Sequence, residues 1–105
     1  MIIINDFSTD NTEDIIFKFK QQDERIIYIK NEQNLGIQKT RNISLNYAKC
    51  KYIAEIDQDD EWIDKDKLKK QFEFLENNQD YVLIGTGVIV VDEKGMEIAR
   101  YLMSK

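Results

Sequence analysis

Blocks of two different periodicities alternate along this chain. Met1 to Asn5 opens with three consecutive isoleucines, a β-branched run that predicts a buried strand. Polar turn chemistry follows at Asp6 to Asn11, where Asp10 and Glu13 make a D-x-x-E helix start. Ile15, Ile16 and Phe19 then form one apolar stripe, predicting a helix that ends near Gln22. Ile26 to Ile29 predicts a second strand, Asn31 to Gly36 a polar loop, and Ile37 to Ala48 a second helix. A third strand is expected at Tyr52 to Ile56, ending at Asp57. Leu68, Phe72 and Leu75 stand at i, i+4 and i+7 of a third helix. The end of the chain predicts a strand over Tyr81 to Val91, a Glu93-Lys94-Gly95 turn, and a last strand near Met96 to Tyr101. The order β-α-β-α-β-α-β-β predicts an α/β fold, mainly a parallel sheet with helices on both faces. In such sheets ligands bind beyond the carboxyl ends of the strands. Two acidic groups fall there, Asn5-Asp6 and Asp57-Gln58-Asp59-Asp60.

Composition narrows the chemistry. The 105 residues, 42% of them hydrophobic, suffice for one domain with a thin core. Twenty acidic against fifteen basic side chains give a net charge of −5, which argues against nucleic acid as a partner. The absence of histidine excludes Ser-His and Cys-His catalysis and His-ligated zinc. A lone cysteine, Cys50, points to a reducing compartment, and the N-terminal stretch has no signal-peptide pattern, so the expectation is cytoplasmic. The longest apolar stretch, Tyr81 to Val91, is broken by Gly85, Thr86 and Gly87 and falls short of the about 20 residues that span a membrane.

Asp57, Asp59 and Asp60 put three carboxylates within four residues. Two carboxylates about 5 Å apart repel by roughly 3 kcal/mol at an effective dielectric near 20, and a hard divalent cation turns that repulsion into binding. The same loop also reads as a solvated turn whose aspartates cap the next helix. An EF-hand is excluded, because Trp62 and Leu68 stand where its loop needs Gly and Glu. Asp6 is placed either to accept hydrogen bonds from a base or ribose or to serve as a plain turn residue. Arg41 faces a phosphate or base, or is a surface arginine. Trp62 is a core anchor or a ring over a sugar, and the core reading is preferred.

In order along the chain, I-I-I-N-D-F-S-T-D-N-T (Ile2 to Thr12), N-L-G-I-Q-K-T-R-N (Asn34 to Asn42) and Y-I-A-E-I-D-Q-D-D-E-W (Tyr52 to Trp62) resemble the signature segments of family-2 glycosyltransferases of the GT-A fold. The helix K-L-K-K-Q-F-E-F-L-E (Lys67 to Glu76) and the G-T-G at Gly85 to Gly87 also fit. The resemblance implies transfer of a sugar from a nucleotide-sugar donor, a UDP-sugar, to a glycan, lipid or other hydroxyl acceptor. It implies that Asp6 binds the base, that Arg41 lies beside the nucleotide, and that Asp57 and Asp59 form a D-x-D pair. Asp59 and Asp60 would hold Mn²⁺ or Mg²⁺. Phe7 replaces the usual Gly, Ser44 stands where relatives often have Gly, and Lys65 where they often have Pro. A truncated, non-catalytic nucleotide- or metal-binding module is the alternative reading.

Residues 1–105 are thus expected to form a single partial domain, the middle of such a transferase, peripheral to the membrane in the full-length parent. The family's first strand and acceptor half would lie outside it, and no acidic residue after Asp60 matches the family's base; Asp92 and Glu93 look like hairpin residues. An absent first strand leaves strand edges open, and buried unpaired backbone groups cost about 1–3 kcal/mol each. Self-association, or a partner chain supplying the missing half, follows as an expectation. Sedimentation of the purified chain checks it: oligomers or a marginally stable monomer are expected, and a monodisperse, cooperatively melting monomer contradicts it.

Overall fold

The isoleucines at the start of the chain do form a strand, and its neighbour comes from the second β-branched run. A computed structural model describes residues 1–102 and divides the chain into two units, Met1–Ile53 and Ala54–Lys105. In the first unit β1 (Ile2–Asn5), α1 (Thr12–Gln22), β2 (Ile27–Lys30) and α2 (Ile37–Tyr47) follow one another. β1 and β2 pair in parallel with Ile2 opposite Ile27 and Asn5 opposite Lys30. The Asn31 N–H extends the ladder by donating to the Asn5 carbonyl at 2.9 Å. α1 packs on β2 and α2 on β1, the βαβ arrangement that alternating elements predict.

The core of this unit is small. Ile16 and Ile26 are its buried apolar side chains among the described residues, each contributing about 1.5–3 kcal/mol on burial. On α1 the buried face differs from the expected stripe: Ile16 turns inward, while Ile15 and Phe19 stay exposed. Phe17 instead meets Tyr28 edge to face, with ring centroids 5.3 Å apart. The helix start also departs from the anticipated box. Asn11 occupies the N-cap position without a side-chain cap bond, and Asp10 Oδ1 accepts from the Thr12 N–H at 3.1 Å. Glu13 does not reach back; strand β2 recruits it, as described below.

The second unit carries α3 (Lys67–Asn77) and an antiparallel hairpin of β3 (Val88–Val91) and β4 (Glu97–Tyr101). Leu75 is the buried member of the α3 stripe; Leu68 and Phe72 are exposed. Asp92 builds the hairpin turn. Its Oδ1 accepts from the N–H groups of Lys94 and Met96 at 2.9 and 2.8 Å, and Gly95 takes a left-handed φ of 78°.

Two strand expectations need correction. Tyr52 to Ile56 forms neither helix nor ladder, because β-branched and aromatic residues favour extended backbone but a strand exists only against a neighbour, and β1–β2 and β3–β4 are the pairs among the described residues. The strand expected from Tyr81 begins only at Val88. At Gly87 the backbone comes so close to the β4 end that a Cβ would lie 2.7 Å from the Tyr101 carbonyl oxygen. The glycine there serves close approach rather than strand propensity.

Phe7, where the resemblance expects Gly, has a φ of +66°. This left-handed conformation costs a non-glycine residue about 1–2 kcal/mol, a strain that Gly would relieve while losing about 0.5–1 kcal/mol to its greater backbone entropy. Phe7→Gly is therefore expected to be neutral or to stabilise by up to about 1 kcal/mol, whereas β-branched Phe7→Val destabilises by more than about 1 kcal/mol. Urea unfolding of both variants checks the order, and a Val variant as stable as the Gly variant contradicts it.

Candidate functional site

Two polar residues with different tasks stand where strand β1 ends, Asn5 as its last residue and Asp6 just after it. Asn5 is 3% exposed and ties the turn to the sheet: its Oδ1 accepts from the Ser8 N–H at 2.7 Å, and its Nδ2 donates to the Tyr28 hydroxyl at 3.0 Å. The Tyr28 hydroxyl in turn donates to Glu13 Oε1 at 2.9 Å, and Lys30 Nζ donates to Glu13 Oε2 at 2.7 Å. This chain of bonds joins β1, β2 and α1. Lys30 and then Tyr28 hold the Glu13 carboxyl below its ordinary range, while burial pushes the Tyr28 hydroxyl up.

Asp6 faces the other way, toward the Asn31–Gly36 loop. Its Oδ1 accepts from the Leu35 N–H and from Asn31 Nδ2, both at 2.8 Å, and its Oδ2 accepts from the Gly36 N–H at 2.8 Å. Gly36 is the N-cap of α2, with a φ of 80° that suits glycine. The carboxylate therefore fastens the loop and the start of α2 to the end of β1. The Leu35 N–H, then the Asn31 amide, hold the Asp6 carboxyl below its ordinary value, with Gly36 and Thr40 acting in the same direction. Alongside runs an open cleft of about 510 Å³ lined by Lys30, Asn31, Glu32, Gln33 and Leu35. Its size lies within the roughly 300–1,000 Å³ of small-molecule sites. Asn31 and Leu35 belong both to this cleft and to the Asp6 bonds.

Arg41 is an exposed residue of α2, the helix that Asp6 anchors, and its carbonyl accepts from Ser44 Oγ at 2.7 Å. Asp57, Asp59 and Asp60 belong to the second unit. They lie on an exposed turn closed by the Asp60 N–H donating to the Asp57 carbonyl at 3.1 Å. Among the described residues no three Asp, Glu or Cys side chains gather into a metal cage. Trp62 is half-buried, with Lys67 Nζ 4.5 Å from its ring centroid. Asp64 pairs with Lys70 at 2.7 Å, which lowers its pKa.

The sequence singled out Asp6, with Asn5 beside it, but gave no role to Asn31 or Thr40, because short polar residues in turns and at helix starts look alike whether solvated or buried. The signal that separates them is burial, which the sequence does not carry. The electrostatics of Asp6 give a pH test. A carboxyl depressed in the folded chain stabilises it above the ordinary value of 3.8 and loses that effect as pH falls through the folded pKa. Asp6→Asn points an amide at a donor that Asp6 accepts, so the variant should be less stable at pH 7, with the gap closing as pH falls below 3.8. Thermal melts of both proteins across that range check it; a gap that does not change with pH contradicts it.

The sequence model of Glycosyl transferase family 2 matches residues 1–102. An uncharacterized glycosyltransferase of Methanocaldococcus jannaschii is 43% identical over 105 residues, covering 100% of this chain and 36% of the relative. The UDP-Glc:alpha-D-GlcNAc-diphosphoundecaprenol beta-1,3-glucosyltransferase of Escherichia coli is 46% identical over 79 residues, 75% of this chain and 30% of that protein. The glycosyltransferase GlyA of Streptococcus pneumoniae is 31% identical over 96 residues, 91% of this chain and 14% of that protein. No solved structure matches. The chain spans at most about a third of the length of these relatives. With its parallel βαβ unit, the three signature segments in order and a family match that runs through both units, this chain belongs to glycosyl transferase family 2 and has its α/β, GT-A type of fold.

Proposed function

We propose that this chain forms the donor-binding part of a metal-assisted glycosyltransferase that uses a uridine diphosphate sugar. The observation that carries the reading is the Asp6 carboxylate, fixed at the carboxyl end of a parallel strand beside an open cleft. A carboxylate there accepts the ring N–H of uracil. The Escherichia coli relative is named for a UDP-Glc donor and an acceptor on diphosphoundecaprenol, which supports a uridine nucleotide and a lipid-borne acceptor here. A lipid-borne acceptor would hold the parent protein at the cytoplasmic face of a membrane. Among the described residues no helix is long and apolar enough to cross one.

Arg41 is assigned to the nucleotide, where a guanidinium meets phosphate or base. Asp57 and Asp59 are assigned to the D-x-D pair, and Asp59 with Asp60 would hold Mn²⁺ or Mg²⁺. The donor set fits such an ion: exposed hard-oxygen carboxylates on a turn, where one or two suffice because substrate phosphates supply the rest. When bound, a divalent ion neutralises charge developing on the departing nucleoside diphosphate. The chain's own residues bind and orient the donor.

Calorimetry with uridine diphosphate glucose tests this. Affinity should rise on the order of tenfold, about 1.4 kcal/mol, when Mn²⁺ or Mg²⁺ is present, and Asp59→Ala should abolish that gain. Equal affinity with and without metal in the unmodified chain contradicts the metal assignment. Donor binding without sugar transfer in any longer form of the protein favours the non-catalytic module instead.

A further inference from the structure

Asn31 is 6% exposed although it begins a polar loop. A buried amide has to place its N–H groups on acceptors, since each one left unmade costs about 1–3 kcal/mol. Asn31 Nδ2 reaches two: Asp6 Oδ1 at 2.8 Å and Thr40 Oγ1 at 3.0 Å. Thr40 Oγ1 thus accepts from the same amide that donates to Asp6, and its side chain acts in the direction that lowers the Asp6 pKa. Three side chains, from the end of β1, the loop and the second turn of the helix that follows it, thus close on one another.

The backbone of Asn31 makes this more than a loop contact. Its N–H donates to the Asn5 carbonyl at 2.9 Å, continuing the β1–β2 ladder, so the amide is fixed to the sheet. Leu35 and Gly36, the other donors to Asp6, belong to the loop and the helix start. The carboxylate torsion is broad and roughly two-fold, and a donor fixed to the sheet selects one plane from it. We infer that Asn31 and Thr40 are positioning residues for Asp6, bracing its carboxylate between sheet and helix beside the cleft that Asn31 and Leu35 line. The inference rests on the reading that Asp6 meets the nucleotide base, and it adds two residues that set how that base is met. Affinity then depends on preorganisation rather than on contact by Asn31 or Thr40 themselves.

The pair Thr40→Val and Thr40→Ser isolates the effect, because Val keeps the shape and Ser keeps the hydroxyl. The groups acting on Asp6 from the loop and α2 (Leu35, Gly36, Asn31 and Thr40) are all uncharged, so neither variant removes a charge. Uridine diphosphate with Mn²⁺ is titrated into the full chain by calorimetry. Asn31→Leu and Thr40→Val should weaken binding roughly five- to tenfold, and Thr40→Ser should stay within about twofold of the unmodified chain. In parallel, the carbon-13 titration of the Asp6 carboxyl should move up in Asn31→Leu and Thr40→Val and return in Thr40→Ser. An Asp6 titration unmoved in folded Thr40→Val overturns the positioning role, as does equal loss of affinity in Val and Ser. Unchanged affinity in Asp6→Ala overturns the base contact instead, so the two failures are told apart. Should Asn31→Leu not fold, the Thr40 pair alone decides the outcome.

Discussion

One carboxylate ties the first half of this protein together. Asp6 accepts three hydrogen bonds of 2.8 Å from the Asn31–Gly36 segment, two of them from backbone N–H groups at the approach to α2. Those N–H groups precede a helix and have no intrahelical partner, so an anion suits them. A short parallel strand pair and two short helices bury few side chains, and a charged acceptor at the strand end supplies direction that so small an apolar core does not. The cleft beside it inherits its geometry from these bonds.

Around that anchor, polar contacts do much of what packing does in larger domains. Asn5 and Asn31 are buried while Ile15, Phe17 and Phe19 on α1 are exposed. The Asn5–Tyr28–Glu13–Lys30 chain crosses from β1 through β2 to α1 with every buried side-chain polar atom satisfied among the described residues. Networks of this kind specify a unique arrangement because each bond is lost if one element shifts. They also explain why Glu13 abandons the helix-start role its position suggests: a tyrosine and a lysine on β2 offer stronger partners than a backbone N–H that water can satisfy.

The functional reading draws on this division of labour. The proposed base recognition falls in the first unit, at the end of a strand and the start of a helix. The carboxylates assigned to the metal and diphosphate lie on an exposed turn of the second unit. Phe7 shows the cost of the tight turn after β1, where the chain holds a left-handed conformation without the glycine that would relieve it.

Periodicity and turn chemistry made most of the fold legible in the sequence. The three helices, the strands β1 and β2 and the hairpin turn lie close to their expected places, since helix stripes, β-branched runs and Asp/Gly turns are local properties. The order of three short segments likewise pointed to the family, because the residues that carry it are contiguous. Pairing was beyond the sequence's reach. Tyr52 to Ile56 has strand composition yet no ladder, and Tyr81 to Gly87 is apolar yet lies outside β3, because a strand is defined by a neighbour elsewhere in the chain. Within the site, Asp6 was visible as a carboxylate at a strand end. That its oxygens accept from Asn31, Leu35 and Gly36 was decided only when residues 25, 29 and 30 positions away were brought within hydrogen-bonding distance.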